Sequence, residues 1–307
     1  MSVDHHSVGS TPVDESTDVV LSPHQWRPLQ QRHLQRVAPW IRPRLQRRKA
    51  GQRHPVDDFL FEYYRLSPRQ LSTWHPGWRY TVVGCEELAD HPGYSRRGQG
   101  HGADSRLPER QLQRLQHSIR LMRATATRPA ELSCFGMHEW AMVYRTNEIR
   151  HAQVPLRLSS EQIAATVDDV GLRCTHFDAY RFFSGPAQSR QLRLTRAGQA
   201  DWEQPGCIHA GMDLYRFAYE ALPLVSSELV ADCFEFARSA RQVDMRSSPY
   251  DLTDWGLAPI RVETAAGRSE HATEQRRLAD RSNQLRSLLI EQLELAQSWV
   301  LRVRAVS

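Results

Sequence analysis

Three short blocks of the sequence set an imidazole beside a carboxylate, a pairing suited to taking a proton from water or to holding a metal ion. In GMHEWAMVYR, His138 and Glu139 are adjacent, so on a helix their side chains point about 100° apart. The zinc-protease pattern HExxH would need histidine at position 142, which is Met142. A plainer reading of this block is a helix that buries Met137, Trp140, Ala141 and Tyr144 and leaves Glu139 and Arg145 in solvent. In CTHFDAYRFF, an extended backbone would place His176 and Asp178 on one face and Phe177 on the other. There the carboxylate and imidazole would hold a water, and nearby aromatic rings would wall a pocket for a flat substrate. The plainer alternative is a structural hydrogen-bonded pair at a strand end.

In PGCIHAGMDLYRFAYE, helical spacing aligns His209 with Asp213, and Arg216 and Glu220 continue the stripe. Two ligands from that helix with His176 or Asp178 would begin a site for zinc, iron or manganese. The same stripe also reads as a surface ion-pair ladder. Cys174 and Cys207 each lie two residues from a histidine, but nearness in sequence is not the spatial pairing a thiolate needs. No GxSxG, P-loop or dinucleotide fingerprint occurs. Of forty basic residues only Lys49 is a lysine, so Schiff-base chemistry is not expected.

The elements that must position these groups are mostly helical. Phe59, Leu60, Tyr63 and Tyr64 recur at helical spacing after Asp57 and Asp58, with a stop by Ser67-Pro68. WRYTVVGC (78–85) reads as a strand, and glycine-rich HPGYSRRGQGHGADS (91–105) as an exposed loop. Leu112, Leu115, Ile119 and Met122 mark an amphipathic helix over 107–126, and a second helix covers 137–144. A third runs from a Ser159/Ser160 cap to Gly171. Residues 172–183 form a strand or the entry to a helix. Helices follow from Ile208 to Leu222, from a Ser226/Ser227 cap towards Pro249, and over about 269–304, the last a candidate for packing on a partner. The expected fold class is mainly α with a minor β component (α+β), a bundle-like helical core ending in a long C-terminal helix.

The chain has 307 residues, 40% of them hydrophobic, and a mean hydropathy of −0.58, with no apolar run of spanning length. Five scattered cysteines with no CxxC pair suggest neither a disulfide framework nor a zinc ribbon. The start MSVDHHSVGSTPVDES carries no basic segment followed by an apolar one, so the expected location is cytoplasmic, away from the membrane. The net charge of +5 is concentrated: residues 1–56 hold nine basic groups against four acids, and the remainder is balanced. No acid lies between Asp18 and Asp57, and three prolines interrupt the arginines. Residues 1–53 therefore read as a basic, poorly ordered arm, with Arg42, Arg44, Arg47, Arg48 and Lys49 available to phosphates, and residues 54–307 as the globular catalytic unit. The alternative for the arm is a solvated leader without a partner.

The succession HPVDDFLFEYY, WHPGW, GMHEWAMVYR, VPLRLS, LRCTHFDAYRFF, QPGCIHAGMDLYRFAYEALP and SELVADCFEFARSARQVDMRSSPYDL resembles a family of bacterial proteins labelled 3-methyladenine DNA glycosylase, over roughly residues 54–290. The chain lacks a helix-hairpin-helix turn before an aspartate and a Cys/His zinc-snap pattern, so no catalytic residue carries over by motif. The resemblance implies a monofunctional DNA N-glycosylase of base-excision repair, binding damaged duplex DNA and hydrolysing the bond to a methylated purine that it flips from the helix. Asp178 would then be the general base, His176 would orient it or the water, and Glu139 or Asp213 would be alternates. Trp140, Phe177, Tyr180, His209 and Tyr215 would bind the base, and the arm arginines would grip phosphates. No cofactor is expected, a transition metal being the one candidate. Two other readings stay open: a metal- or small-molecule-dependent helical enzyme using the His/Asp groups, and a non-catalytic nucleic-acid-binding protein.

Overall fold

Ser22 starts the first long helix: its backbone N–H donates to the Gln25 side chain at 2.9 Å, and Pro23 fills a first-turn position that needs no N–H. The computed structural model describes residues 18–149, 151 and 153–306, so the expected arm as far as residue 17 lies outside the described residues. Strand β1 (Val19–Leu21) leads into α1 (Pro23–Lys49). Far from being a loose arm, α1 is a 27-residue helix through Pro28, Pro39 and Pro43, with Trp26, His33, Val37 and Ile41 buried along one stripe. Val37 and Ile41 belong to the same core cluster as Leu214 and Phe234, so the core shows no boundary near residue 53. The prolines that argue locally against a helix are outweighed by tertiary partners, since Arg36 engages Glu228, Asp232 and Glu235 almost two hundred residues away.

Two short helices, α2 (Phe59–Tyr63) and α3 (Pro68–Ser72), precede β2 (Tyr80–Val82) and α4 (Glu86–Ala89). The stretch expected as a loop is a hairpin, β3 (Tyr94–Arg97) and β4 (Gly100–Ala103), and the four strands form one sheet in the order β1-β2-β4-β3. Only the β1–β2 pairing is parallel. The glycines serve the hairpin rather than a loop: Gly98 takes φ +54° in the two-residue turn, and a Cβ on Gly100 would lie 2.5 Å from the Val82 carbonyl oxygen.

After α5 (Glu109–Ala126) come α6 (Met137–Met142), α7 (Ser160–Val170), α8 (Phe177–Tyr180), α9 (Gly185–Gln188) and α10 (Gln199–Trp202). The chain closes with α11 (Ile208–Glu220), α12 (Ser227–Arg246) and α13 (Ala265–Val306). The caps read from sequence hold: Ser159 accepts from the Gln162 N–H and Ser226 from the Leu229 N–H. Helices α11 and α12 form the centre, and α13 lies along α5, α11 and α12 of its own chain, burying Leu278, Leu285, Leu289, Leu293, Ala296 and Val300. Helix makes up 58% and strand 6%, so the fold is mainly α with a minor β component. No helix among the described residues is long and apolar enough to cross a membrane.

Candidate active site

Helix α6 carries His138 and Glu139 inward because its ends are held in uncommon backbone geometry. Phe135 (φ +49°) and Gly136 (φ +67°) lead in, Arg145 (φ +47°) leads away, and a Cβ on Gly136 would press on Ser247 Oγ at 2.7 Å. Left-handed non-glycine residues persist only where packing over-determines them, and they cluster at functional sites. The turn puts Glu139, expected in solvent, at 2% exposure.

There Glu139 faces a cavity of about 220 Å³. Phe59, Tyr63, Met142, Ala179 and Phe182 form its apolar walls, and Glu139, Asp178, His151, His209 and Arg241 its polar lining. The Phe59 and Tyr63 rings lie parallel with centroids 5.1 Å apart, and the Arg241 guanidinium stands 4.0 Å over Phe59. A larger groove of about 600 Å³ between α1 and the Trp74–Tyr80 segment has only Glu228 as an acid on its walls.

The two carboxylates in the cavity are held differently. Asp178 Oδ2 accepts a 2.6 Å hydrogen bond from the Tyr63 hydroxyl, and Oδ1 lies 3.3 Å from Arg181 and 4.0 Å from Arg196. Glu139 Oε1 accepts from Arg241 at 2.6 Å, whereas His151 stands 3.6 Å from Oε2, beyond a good hydrogen bond. Burial alone would raise the Glu139 carboxyl, but the Arg241 charge wins and holds it well below the usual range, so it is ionised. Burial keeps the Tyr63 phenol protonated, and its bond to Asp178 reinforces this.

Behind the cavity run two buried clusters. In one, His138 Nε2 lies 2.8 Å from Asp244 Oδ1, while Asp244 Oδ2 accepts from Arg241 at 2.6 Å. Burial opposes the His138 charge, yet Asp244 pushes that imidazole up to about 10. In the other, His176 Nε2 lies 3.3 Å from Asp213 and 3.4 Å from Glu203, and Asp213 also accepts from Tyr64 and Arg216. Burial alone would raise the Asp213 carboxyl, but Arg216 and His176 bring it down to about 2. His209 stands between the clusters, its ring centroid 4.3 Å from that of His138 and 5.3 Å from that of His176. Burial first, and then the His138 charge, drives it down to about 3, so it is neutral.

Of the residues singled out from sequence, Glu139, Asp178 and His209 reach the cavity. His176 and Asp178 do not share a face: residue 176 caps α8, so the strand reading gives way to a helix start and the two side chains part. His209 and Asp213 likewise join different clusters, and the stripe they begin runs from a buried Asp213 through a half-buried Arg216 to an exposed Glu220 rather than forming a surface ladder. Four expected base-binding rings do not line the cavity. Trp140 is fully buried and donates to the Ser247 carbonyl, Tyr215 packs in the core against Tyr64 and Phe234, Tyr180 lies against Phe183, and Phe177 sits under Arg196. Of the expected phosphate-binding residues, Arg44 and Arg47 are engaged with Asp58, at the start of α2, and Arg42, Arg48 and Lys49 are exposed.

Sequence reasoning passed over Tyr63, Phe182, His151 and Arg241 as site residues. Tyr63 had a signal, since the 59–64 block is aromatic on both faces of a short helix, more than one core contact needs. It also missed Arg173, Arg181, Arg190, Arg193 and Arg196, all exposed, with Asp178 the only acid between 172 and 198. Burial pushes the Cys207 thiol up to about 12 and Cys174 upward as well, which makes both inert rather than nucleophilic. No protein-family model, curated protein or solved structure matches the chain.

Proposed function

We propose that this protein hydrolyses the N-glycosidic bond of an alkylated purine in DNA and releases the free base. The observation that carries the reading is the cavity, where the carboxylates of Glu139 and Asp178 meet the rings of Phe59, Tyr63 and Phe182 in about 220 Å³, space for one flat heterocycle. The family resemblance of the 54–290 blocks supports the same substrate class.

A flipped base would stack against these rings, and a methylated purine, being cationic, gains attraction from the aromatic faces. The lining favours that charge, because Glu139 and Asp178 outnumber the single guanidinium, Arg241, which is already engaged by Glu139 and Asp244. Asp178, fixed by Tyr63, is the group suited to take a proton from the water that attacks the sugar carbon, while its charge favours the developing positive charge there. The ion-paired Glu139 is suited to hold the cationic ring. The lone Lys49 lies on α1 and does not line the cavity, which fits water rather than an amine as the nucleophile. Arg181, beside Asp178, and the exposed arginines of 172–198 would meet the phosphates of the flipped strand.

The test is incubation of the full chain with duplex DNA carrying methylated purines, followed by chromatographic detection of free bases and of abasic sites. Release of 3-methyladenine or 7-methylguanine with intact strands is expected. No release above a protein-free control overturns the reading.

A further inference from the structure

We propose that His138, His209 and Asp244 form a binding site for one divalent transition-metal ion at the floor of the cavity. This goes beyond base release and does not depend on it. One ligand atom from each residue lies within 4.8 Å of the other two. The 2.8 Å between His138 Nε2 and Asp244 Oδ1 is close to the roughly 3 Å that neighbouring ligands keep when both bind one ion at about 2.1 Å.

These two atoms carry the argument. His138 is 2% exposed and Asp244 fully buried, yet neither Nε2 nor Oδ1 has a hydrogen-bond partner among the described residues. They form a 2.8 Å ion pair but lack the alignment of a hydrogen bond. Buried polar atoms are almost always hydrogen-bonded, and a buried ion pair that misses that geometry leaves both atoms able to bind a metal ion in place of the His138 proton. The surroundings orient the ligands as outer partners do in metal centres. Arg241 holds the other oxygen of Asp244 at 2.6 Å and is itself balanced by Glu139.

The neighbouring trio His176, Glu203 and Asp213 is equally close but already closed. His176 Nε2 is hydrogen-bonded to Asp213, which also accepts from Tyr64 and Arg216, and Glu203 accepts from Gln199. Only the first trio opens on the cavity, through His209. Two imidazoles and one carboxylate with positions left towards a cavity make a set for zinc or ferrous iron of the kind that holds a water.

The experiment uses the full chain, stripped with a chelator and titrated with cobalt(II) while visible absorption is read, beside elemental analysis of the protein as purified. One cobalt per chain is expected, weakened at least about tenfold by His209→Gln and by Asp244→Asn. His176→Gln should leave binding intact. Circular dichroism melts check folding, and His209→Gln, at the cavity edge, keeps the test alive if Asp244→Asn unfolds. The proposal is overturned if the wild type takes up no stoichiometric cobalt, or if binding survives in folded His209→Gln.

Discussion

The hydroxyl of Tyr63 donates a 2.6 Å hydrogen bond to the carboxylate of Asp178, tying α2 to α8 across 115 residues of sequence. The bond makes one unit of a wall ring and the reactive carboxylate, which separates two substitutions. Asp178→Asn removes the base and is expected to slow release by about 10²–10⁴-fold with DNA affinity kept. Tyr63→Phe keeps the stacked ring and removes only the donor, so a loss nearer tenfold is expected, the effect of one hydrogen bond to a charge. Single-turnover release and fluorescence anisotropy measure the two quantities. Unchanged release in Asp178→Asn rejects its role.

Arg241 is 1% exposed and divides its guanidinium between Glu139 and Asp244. Arg241→Met leaves the buried Glu139 without its closest cation and Asp244 with His138 alone, and a loss of about 3–5 kcal/mol in urea unfolding is expected. Glu139→Gln keeps Arg241 paired with Asp244 and should cost less, about 1–3 kcal/mol. The opposite ranking would mean that Arg241 is not the centre of the network.

Much of the fold was legible because it depends on local periodicity and caps. The helix from Ser160 to Val170 starts and stops at residues readable from the sequence, as does the buried stripe of α13 from Leu278 to Val300. Two failures have one cause. The arginines of α1 read as a solvated arm because their partners Glu228, Asp232 and Glu235 are remote, and the 91–105 glycines read as a loop because the carbonyl that demands Gly100 belongs to Val82 on another strand. At the site, residue types were legible and their directions were not. Whether residue 176 begins a helix or continues a strand decides if His176 joins Asp178 or Asp213, and nothing between Leu172 and Phe183 fixes that choice.

The corrected place of the arm changes what its charges are expected to do. Arg44 and Arg47 both engage Asp58, whose side chain is 1% exposed. Burial would raise that carboxyl, but Arg47, the His54 N–H and Arg44 hold it below its usual value. Arg47→Ala should therefore destabilise by about 2–3 kcal/mol, whereas alanine at Arg42, Arg48 and Lys49 should stay within about 0.5 kcal/mol. Thermal melts separate the two sets.

For DNA, the exposed arginines of 172–198 should matter more than those of α1. Replacing Arg173, Arg193 and Arg196 by glutamine is expected to weaken binding to all sequences and to reduce the slope of log affinity against log salt by up to about 0.9 per lost phosphate contact. Replacing Arg42, Arg48 and Lys49 should have little effect. A larger fall in the second variant would place the duplex along α1 instead.

Acid stability depends on a residue remote from the cavity. His75 is 3% exposed, with Nδ1 3.0 Å from the Tyr94 hydroxyl and the His91 ring beside it. Burial first, and then the charges of His91 and His33, brings its pKa down to about 3. The folded value lies below the unfolded value of about 6.5, so on acidification the unfolded chain takes the proton first. The stability that neutral His75 contributes is complete above pH 6.5 and is lost as pH falls towards 3, by at most roughly 5 kcal/mol. His176 has the opposite sign: although burial opposes its charge, Asp213 and Glu203 raise it, and its contribution fades as pH rises instead. His75→Asn keeps a polar side chain near Tyr94 but cannot titrate, so its urea midpoint should fall less than that of the wild type between pH 7 and pH 4. Parallel acid limbs for the two proteins would show that some other group takes up the proton.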